Sequence, residues 1–362
     1  MVIDDSLSMR MYLCSLFHKT PGFEVIASAE NPIIAMEKLK TLTPDVITLD
    51  VEMPEMDGLT FLKKLMRLKP LPVVMISTLT STGTSTAIEA LNNGAIDVVG
   101  KPSHKASELA ESQSDIIEKV RAAAHAKVGQ SNVRSLPNAV QQNSNAASTR
   151  DYEPVKTIDD LLPLKASIAN ENSKPLIVIG SSTGGPPALK EIISGLTNPN
   201  TPPIVIVQHI GIGFTKSLAK NINNISDLTV TEAQEGEVLK NGHIYIAPSG
   251  KHLAIKKNSM GHYICETLDC GRINRHKPSV DVLFRTAQQV CGKKILAIVL
   301  TGMGDDGARC LKDLHSIGAE TIVQNEESCV VYGMPRMALN LEPKHKSLNL
   351  KQITKAIKDY TS

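Results

Sequence analysis

Short β-branched apolar runs alternate with segments of helical period along most of this chain. Asp4 and Asp5 close a very short first strand, and Met9, Leu13, Leu16 and Phe17 then recur at helical spacing. Phe23–Ala27, Val46–Leu49 and Val73–Ile76 read as strands, and Gly94–Val99 leads into a fifth that Lys101 and Pro102 end. Asn31 followed by Pro32 supplies a cap and a first-turn proline for a helix over Ile33–Lys40. The alternation returns from Lys174, with apolar runs at Leu176–Ile179, Ile204–Val207 and Ile295–Leu300. Ser279 is placed to cap a helix showing Val280, Leu283, Phe284, Ala287 and Val290 on one face. Strands alternating with helices imply parallel sheets covered on both sides. The chain is therefore expected to be α/β, with two doubly wound parallel-sheet domains at residues 1–127 and 174–362.

Between them, residues 128–173 are rich in Ser, Asn, Gln and Ala and read as a linker, because such a segment buries too little to offset its ordering entropy. One stretch inside it differs. Thr157 is placed to cap a turn showing Ile158, Leu161, Leu162 and Leu164, so Thr157–Lys165 is either a loose turn or a docking or partner-binding segment.

The totals agree with this outline. A chain of 362 residues fits two domains better than one. A net charge of +2 leaves no broad basic surface for nucleic acid or a membrane. No run approaches the roughly 18–20 apolar residues of a membrane span. The start MVIDDSLSMR lacks the pattern of a secretion signal. Six cysteines form no CxxC pair, and Cys265 and Cys270 have no matching pair elsewhere, so reduced thiols in a cytoplasmic protein are expected.

Chemistry enters at the strand ends, where open α/β sheets place their ligands. Asp4, Asp5 and Asp50 each follow a strand, Ser77 follows the run VVMI, and Lys101 follows the fifth strand. Carboxylates gathered at one edge repel unless a cation sits among them, and hard oxygen donors in that number suit Mg²⁺. A carboxylate beside Mg²⁺ is a nucleophile for a phosphoryl group, whose oxygens a hydroxyl and an ammonium then hold.

Residues 1–127 thus resemble a response-regulator receiver domain, which has a flavodoxin-like fold. The resemblance implies Asp50 as phosphoacceptor, Asp4 and Asp5 as the acidic pocket, Ser77 as switch hydroxyl and Lys101 as pocket lysine. It also implies Asp5, Asp50 and the Glu52 carbonyl as Mg²⁺ ligands. Two departures stand out. Only Val2 and Ile3 precede the acidic pair, so a shortened start to the domain is expected. Val98 occupies a position that is often aromatic in receivers, which leaves no aromatic flip.

The second half offers a hydroxyl, an imidazole and a carboxylate at three strand ends: GSSTGG after Leu176–Ile179, Gln208-His209 after Ile204–Val207, and TGMGDDG after Ile295–Leu300. These are the parts of a serine hydrolase. The glycines allow a tight strand-to-helix turn, and the helix N-terminus favours developing negative charge. Residue physics alone leaves Ser181 or Ser182, and Asp305 or Asp306. GSSTGG lacks both dinucleotide and P-loop spacing. A dinucleotide-binding or vestigial second domain in a signalling module is the alternative.

The motifs IGSSTGGP, IVIVQH, SGKHL, HKPSVDVLF, LTGMGDDGA and QNEESCVVYGMP, in that order from about Pro175 to Tyr360, resemble the Rossmann-like catalytic domain of CheB-type chemotaxis protein-glutamate methylesterases. By position, the resemblance implies Ser182 as nucleophile, His209 as base and Asp306 as orienting acid. Thr183 would support the imidazole, and the Met303 backbone N–H would donate to the oxyanion. Ser181 replaces the usual alanine. The resemblance further implies methyl-accepting chemoreceptors as substrates, glutamine deamidation as a second activity and a chemotaxis histidine kinase as phosphodonor. It implies Mg²⁺ for phosphorylation but no cofactor for ester hydrolysis, a monomer, and a receiver that covers the hydrolase face until Asp50 is phosphorylated.

Overall fold

The computed structural model describes residues 1–102, 106–126, 157–163 and 173–360. Most of the expected linker, 128–173, lies outside the described residues. The first domain runs β1 (Val2–Ile3), α1 (Leu7–His18), β2 (Ser28–Ala29), α2 (Pro32–Leu39), β3 (Ile47–Asp50), α3 (Gly58–Leu68), β4 (Val73–Ser77), α4 (Ser81–Asn92), β5 (Asp97–Gly100) and α5 (Ala106–Ala124). Its five strands lie parallel in the order β2-β1-β3-β4-β5. Side chains hold the helix starts, as where Asn31 Oδ1 accepts the Ile34 N–H at 2.9 Å and Asp57 Oδ1 accepts the Thr60 N–H at 2.8 Å.

One strand differs from expectation. Phe23–Ala27 carries the alternating pattern, yet pairing is confined to Ser28–Ala29, because β1 offers only Val2 and Ile3 as partners. Phe23 and Val25 still pack against the cluster of Leu13, Phe17, Ile116 and Val120. Their apolar spacing reports burial rather than strand pairing.

The second domain comprises α6 (Ile158–Leu161), β6 (Leu176–Ser181), α7 (Gly185–Ser194), β7 (Ile204–Gln208), α8 (Thr215–Asn223), β8 (Thr229–Glu232), β9 (His243–Ile246), β10 (His252–Lys257), β11 (Tyr263–Leu268), α9 (Val280–Cys291), β12 (Ile295–Val299), α10 (Ala308–Ser316), β13 (Glu320–Gln324), α11 (Met334–Leu341), β14 (Lys346–Leu348) and α12 (Leu350–Asp359). Seven strands form a parallel sheet in the order β14-β13-β12-β6-β7-β9-β8, and β10 and β11 form a separate antiparallel hairpin. The chain reverses direction across the sheet between β6 and its neighbours β7 and β12, and that is where crevices open in such folds. Among the described residues no helix is long and apolar enough to cross a membrane.

The Thr157–Pro163 part of the stretch singled out above docks on the second domain; Leu164 and Lys165 lie outside the described residues. Ile158 is buried in the core around α9, and Arg285 donates to the Leu162 carbonyl at 3.1 Å while pairing with Asp159 at 3.1 Å and Asp313 at 3.1 Å. Arg309 also pairs with Asp159.

A buried histidine at the opposite end of this sheet sets an acid limit on the fold. His345 Nδ1 lies 2.8 Å from Thr321 Oγ1, and its ring meets that of His315 edge-on at 5.4 Å. Burial, with the charge of His315 adding, pushes its pKa down from 6.5 to about 4. The unfolded chain therefore takes up this proton at a pH where the folded chain does not. This site's contribution is intact above pH 6.5 and falls as pH drops toward about 4. Thermal melts of wild type and His345→Asn at pH 7.5 and 5 check this. The wild type should lose more of its melting temperature across that interval than the variant; equal losses would refute the assignment.

Candidate active site

Three strand-end loops of the second domain are tied to one another through their backbones. The Ser182 N–H donates to the Thr301 carbonyl at 3.0 Å, and the His209 N–H donates to the Ser181 carbonyl at 2.9 Å. Backbone pairing thus continues one residue past β6 and β7 and two past β12, so a serine, an imidazole and a carboxylate meet at one edge. Gly184 takes a left-handed φ of 79°, turning the chain from Ser182 into α7. A side chain on Gly185 would overlap the Gln208 amide, with a Cβ 1.9 Å from Oε1.

That amide clamps the nucleophile and base loops together. Gln208 Oε1 accepts the Ser181 hydroxyl at 2.7 Å, while Nε2 donates to the carbonyls of Ser182 at 2.9 Å and His209 at 3.0 Å. Geometry therefore separates the two serines. Ser181 is engaged in this clamp, whereas Ser182 Oγ is buried and makes no hydrogen bond among the described residues.

The two aspartates separate as clearly. Asp305 is exposed and pairs with Arg275 at 3.2 Å. Asp306 is fully buried and lies 2.9 Å from His209 Nε2 through Oδ2. It also accepts the Val280 N–H at 2.7 Å, the Asp281 N–H at 3.2 Å and the Ser279 hydroxyl at 2.8 Å. Ser279 stands at the N-cap of α9 as the sequence leads one to expect, but its hydroxyl serves Asp306, and the Asp306 carboxylate takes the helix's first N–H groups. Burial alone would push the Asp306 pKa up. The hydrogen bond and charge of His209, with His276 and the Val280 N–H, outweigh it and hold the carboxyl well below its ordinary value. Asp281 shows the opposite outcome: burial, with the charge of Asp306, pushes it up.

His209 Nε2 faces Asp306, so Nδ1 is the ring atom left for a nucleophile. It is buried and, like Ser182 Oγ, makes no hydrogen bond among the described residues. The His276 ring stacks on His209 at 3.9 Å and 12°, and burial, with the charge of His209, keeps His276 well below the usual imidazole value. An uncharged ring therefore backs the imidazole. Gly302 sits against the serine, since a Cβ there would lie 2.6 Å from Ser182 Cβ, and the Met303 amide follows directly.

Thr183 is not where the resemblance leads one to expect it. Its hydroxyl donates to Asp97 Oδ2 of the first domain at 2.7 Å instead of serving His209. A carboxylate is a stronger acceptor for a hydroxyl than a neutral ring nitrogen. The same Asp97 oxygen pairs with Lys119 at 3.0 Å, and Lys119 Nζ donates to the His209 carbonyl at 3.0 Å. Around this junction a cleft of about 110 Å³ is lined by Glu118, His209, Arg272 and His276, among others. Asp115 pairs with Arg272 across it at 3.3 Å.

Asp97, Lys119, Gln208 and His276 escaped the sequence reading. Faint signals were present: a polar residue at the end of the run IVIV, an acid opening the strand DVV, and a lysine beside Ile116 and Val120 on the apolar face of α5.

In the first domain Asp4, Asp5, Asp50 and Lys101 lie together at the ends of the strands. Lys101 Nζ lies 2.6 Å from Asp50 Oδ2 and 3.1 Å from Asp4 Oδ2. Oxygens of Asp4, Asp5 and Asp50 lie within 4.8 Å of one another, a spacing and donor set that fit a hard divalent cation. Burial, with the charge of Asp4 adding and Lys101 opposing, pushes Asp50 up to about 6. The Glu52 N–H bonds back to Asp50 Oδ1 at 3.4 Å. Ser77 pairs in register with Gly100, and its hydroxyl donates to the Thr78 carbonyl at 3.1 Å.

Fold and site together define a two-domain α/β response regulator whose second domain gathers a serine, a histidine and an aspartate. Comparison with known proteins narrows the class. The receiver-domain family profile matches residues 1–112, and the CheB methylesterase profile matches residues 177–357. A protein-glutamate methylesterase/protein-glutamine glutaminase 2 of Shewanella denitrificans is 42% identical over 361 residues, 99% of each chain. A protein-glutamate methylesterase/protein-glutamine glutaminase of Hydrogenovibrio crunogenus is 44% identical over 94% of this chain and 93% of its own. The crystal structure of the Thermotoga maritima CheB methylesterase catalytic domain matches with a TM-score of 0.50 at 39% identity, covering 52% of this chain and 98% of that one. The chain belongs to the CheB methylesterase family.

Proposed function

We propose that this protein is a phosphorylation-activated serine hydrolase that removes methyl groups from glutamate γ-methyl esters on chemoreceptors, and that deamidates glutamines by the same chemistry. The observation that carries the reading is the buried His209–Asp306 bond at 2.9 Å with Ser182 on the adjoining strand end. The names of the full-length relatives support the substrate class.

His209 Nδ1 takes the Ser182 proton as Oγ bonds to the ester carbon, and Asp306 stabilises the resulting imidazolium. The Met303 N–H donates to the oxyanion beside the helix N-terminus of α7. Collapse breaks the carbon–methoxy bond, and His209 returns its proton to the leaving group as methanol. Water, deprotonated by His209, then cleaves the acyl-serine and leaves a free carboxylate. Nothing in this sequence of steps calls for a cofactor.

The receiver pocket supplies control. Asp5, Asp50 and the Glu52 carbonyl would hold Mg²⁺, which when bound neutralises charge during phosphoryl transfer from a histidine kinase. Asp50 is the acceptor, Asp4 completes the acidic pocket, and Lys101 and Ser77 hold the phosphoryl oxygens. A dinucleotide-binding second domain has little support, since the glycines of GSSTGG are occupied by the Gln208 clamp and the turn into α7.

Methanol release from methylated receptor membranes tests the reading. A small-molecule phosphodonor with Mg²⁺ should raise the wild-type rate about tenfold, within the usual range of coupling between sites. Asp50→Ala should not respond. An equal response from that variant, or none from wild type, would count against control through Asp50.

A further inference from the structure

A tight turn ahead of α9 delivers two side chains to the triad at once. Ile273 and His276 pair across it: the Ile273 N–H donates to the His276 carbonyl at 3.0 Å, and the His276 N–H donates to the Ile273 carbonyl at 2.9 Å. Between them Asn274 and Arg275 take left-handed φ values of 48° and 72°. Neither is glycine, and two such residues in succession cost free energy that the surroundings must offset. His276 leaves the turn to stack on His209 at 3.9 Å. Asn274 leaves it toward two buried carboxylates. Its Nδ2 donates to Asp306 Oδ1 at 3.3 Å and to Asp281 Oδ2. Only the N–H₂ end of the amide can face both acids, because the carbonyl end offers no donor.

Asp281 is an awkward neighbour for the triad's acid. It lies fully buried in the first turn of α9, with Oδ1 accepting the Cys310 N–H at 3.0 Å. Carboxylates buried side by side repel, and burial together with the charge of Asp306 pushes the Asp281 carboxyl above its ordinary value. The Asn274 amide sits at their junction with a donor for each. Asp306 Oδ1 then belongs to Asn274, the Ser279 hydroxyl and the Asp281 N–H, and Oδ2 is left to His209 and the Val280 N–H. We propose that Asn274 is a positioning residue for the hydrolysis, whose amide bridges Asp281 and Asp306 and holds the Asp306 carboxylate in the rotation that presents Oδ2 to His209 Nε2. This rests on the reading of Asp306 as the orienting acid. The left-handed turn is the means: asparagine is one of the few non-glycine residues that enter that region, and it carries the amide with it. Arg275 shares the turn but points away from the acids, exposed and paired with Asp305 at 3.2 Å.

The test uses the full chain with phosphodonor and Mg²⁺, and reads kcat and KM for methanol release from methylated receptor membranes. Asn274→Gly suits the left-handed φ and removes only the amide. Its kcat should fall about tenfold with KM unchanged, since Asn274 orients the acid and holds no substrate. Asn274→Asp keeps the shape but replaces the donor with an acceptor, so its kcat should fall at least as far. Arg275→Gly relaxes the same turn and keeps the amide, and its kcat should stay at the wild-type level. The rate at which a fluorophosphonate probe labels Ser182 completes a double-mutant cycle. Asn274→Gly should slow labelling about tenfold in the wild type and not at all beside Asp306→Asn. Wild-type kcat in Asn274→Gly or Asn274→Asp, an equal loss in Arg275→Gly, or the same slowing beside Asp306→Asn overturns the assignment. An Asp306→Asn protein with wild-type turnover would defeat the orienting acid itself, a failure distinct from that of Asn274.

Discussion

Ser182→Ala is expected to abolish methanol release from methylated receptor membranes, lowering kcat by roughly 10³–10⁶-fold, the range seen when a nucleophile is removed from a triad. The breadth reflects what remains without the hydroxyl, namely oxyanion donors and positioning. Ser181→Ala is the informative neighbour, because both hydroxyls are buried within one turn of backbone. The Ser181 hydroxyl donates to Gln208 Oε1, so its removal leaves a buried acceptor unmatched and costs about 1–3 kcal/mol of stability. Activity should nevertheless stay within a few-fold of wild type, because the Gln208 amide still holds the Ser182 and His209 carbonyls through Nε2. Methanol release measured alongside a thermal melt distinguishes the two. A Ser182→Ala protein with wild-type turnover would end the serine-hydrolase reading, and the reverse pattern would move the nucleophile to Ser181.

Why some of this was legible beforehand and some was not follows from distance along the chain. The strand-end loops could be read because apolar β-branched runs mark buried parallel strands, and chemistry in such sheets gathers at their carboxyl ends. The acidic pocket was readable for the same reason, one strand end at a time. What the residues alone left open, Ser181 against Ser182 and Asp305 against Asp306, depends on which hydroxyl Gln208 claims and which carboxylate meets the start of α9. Neither is a pattern of spacing. Asp97 and Lys119 lie further out of reach, since their partners Thr183 and His209 sit 86 and 90 residues away in another domain. A buried acid and a buried lysine look, in sequence, like ordinary members of an edge strand and a helix. The misplaced second strand has the converse cause: Phe23 and Val25 have a strand's pattern but lack a neighbour long enough to pair with.

Asp306→Asn is expected to cost about 10⁴-fold in kcat while leaving most of the fold intact, a size typical of the orienting acid in serine hydrolases. The reason lies in which face of the ring each partner holds. Asp306 accepts from His209 Nε2, placing the neutral ring's proton there and leaving Nδ1 to receive the proton of Ser182. An asparagine that turns its amide N–H₂ toward Nε2 donates instead, which moves the ring proton to Nδ1 and removes the base. Turned the other way, the amide N–H₂ faces the Ser279 hydroxyl and Asp281 N–H, donors that now meet a donor. Either orientation weakens the start of α9, so some loss of melting temperature accompanies the loss of rate. The two effects separate by pH. The native carboxyl is held below its ordinary value, so its stabilisation is complete at neutral pH and lost only as pH falls below about 4. Asparagine has no such titration, and the stability gap between wild type and variant should therefore narrow in acid. The catalytic deficit, set by the tautomer, should persist across the neutral and alkaline range. Methanol release between pH 6 and 9, with melts at pH 7 and 3.5, measures both. Activity within tenfold of wild type at any of these pH values would remove Asp306 from the catalytic role and leave it as the cap of α9.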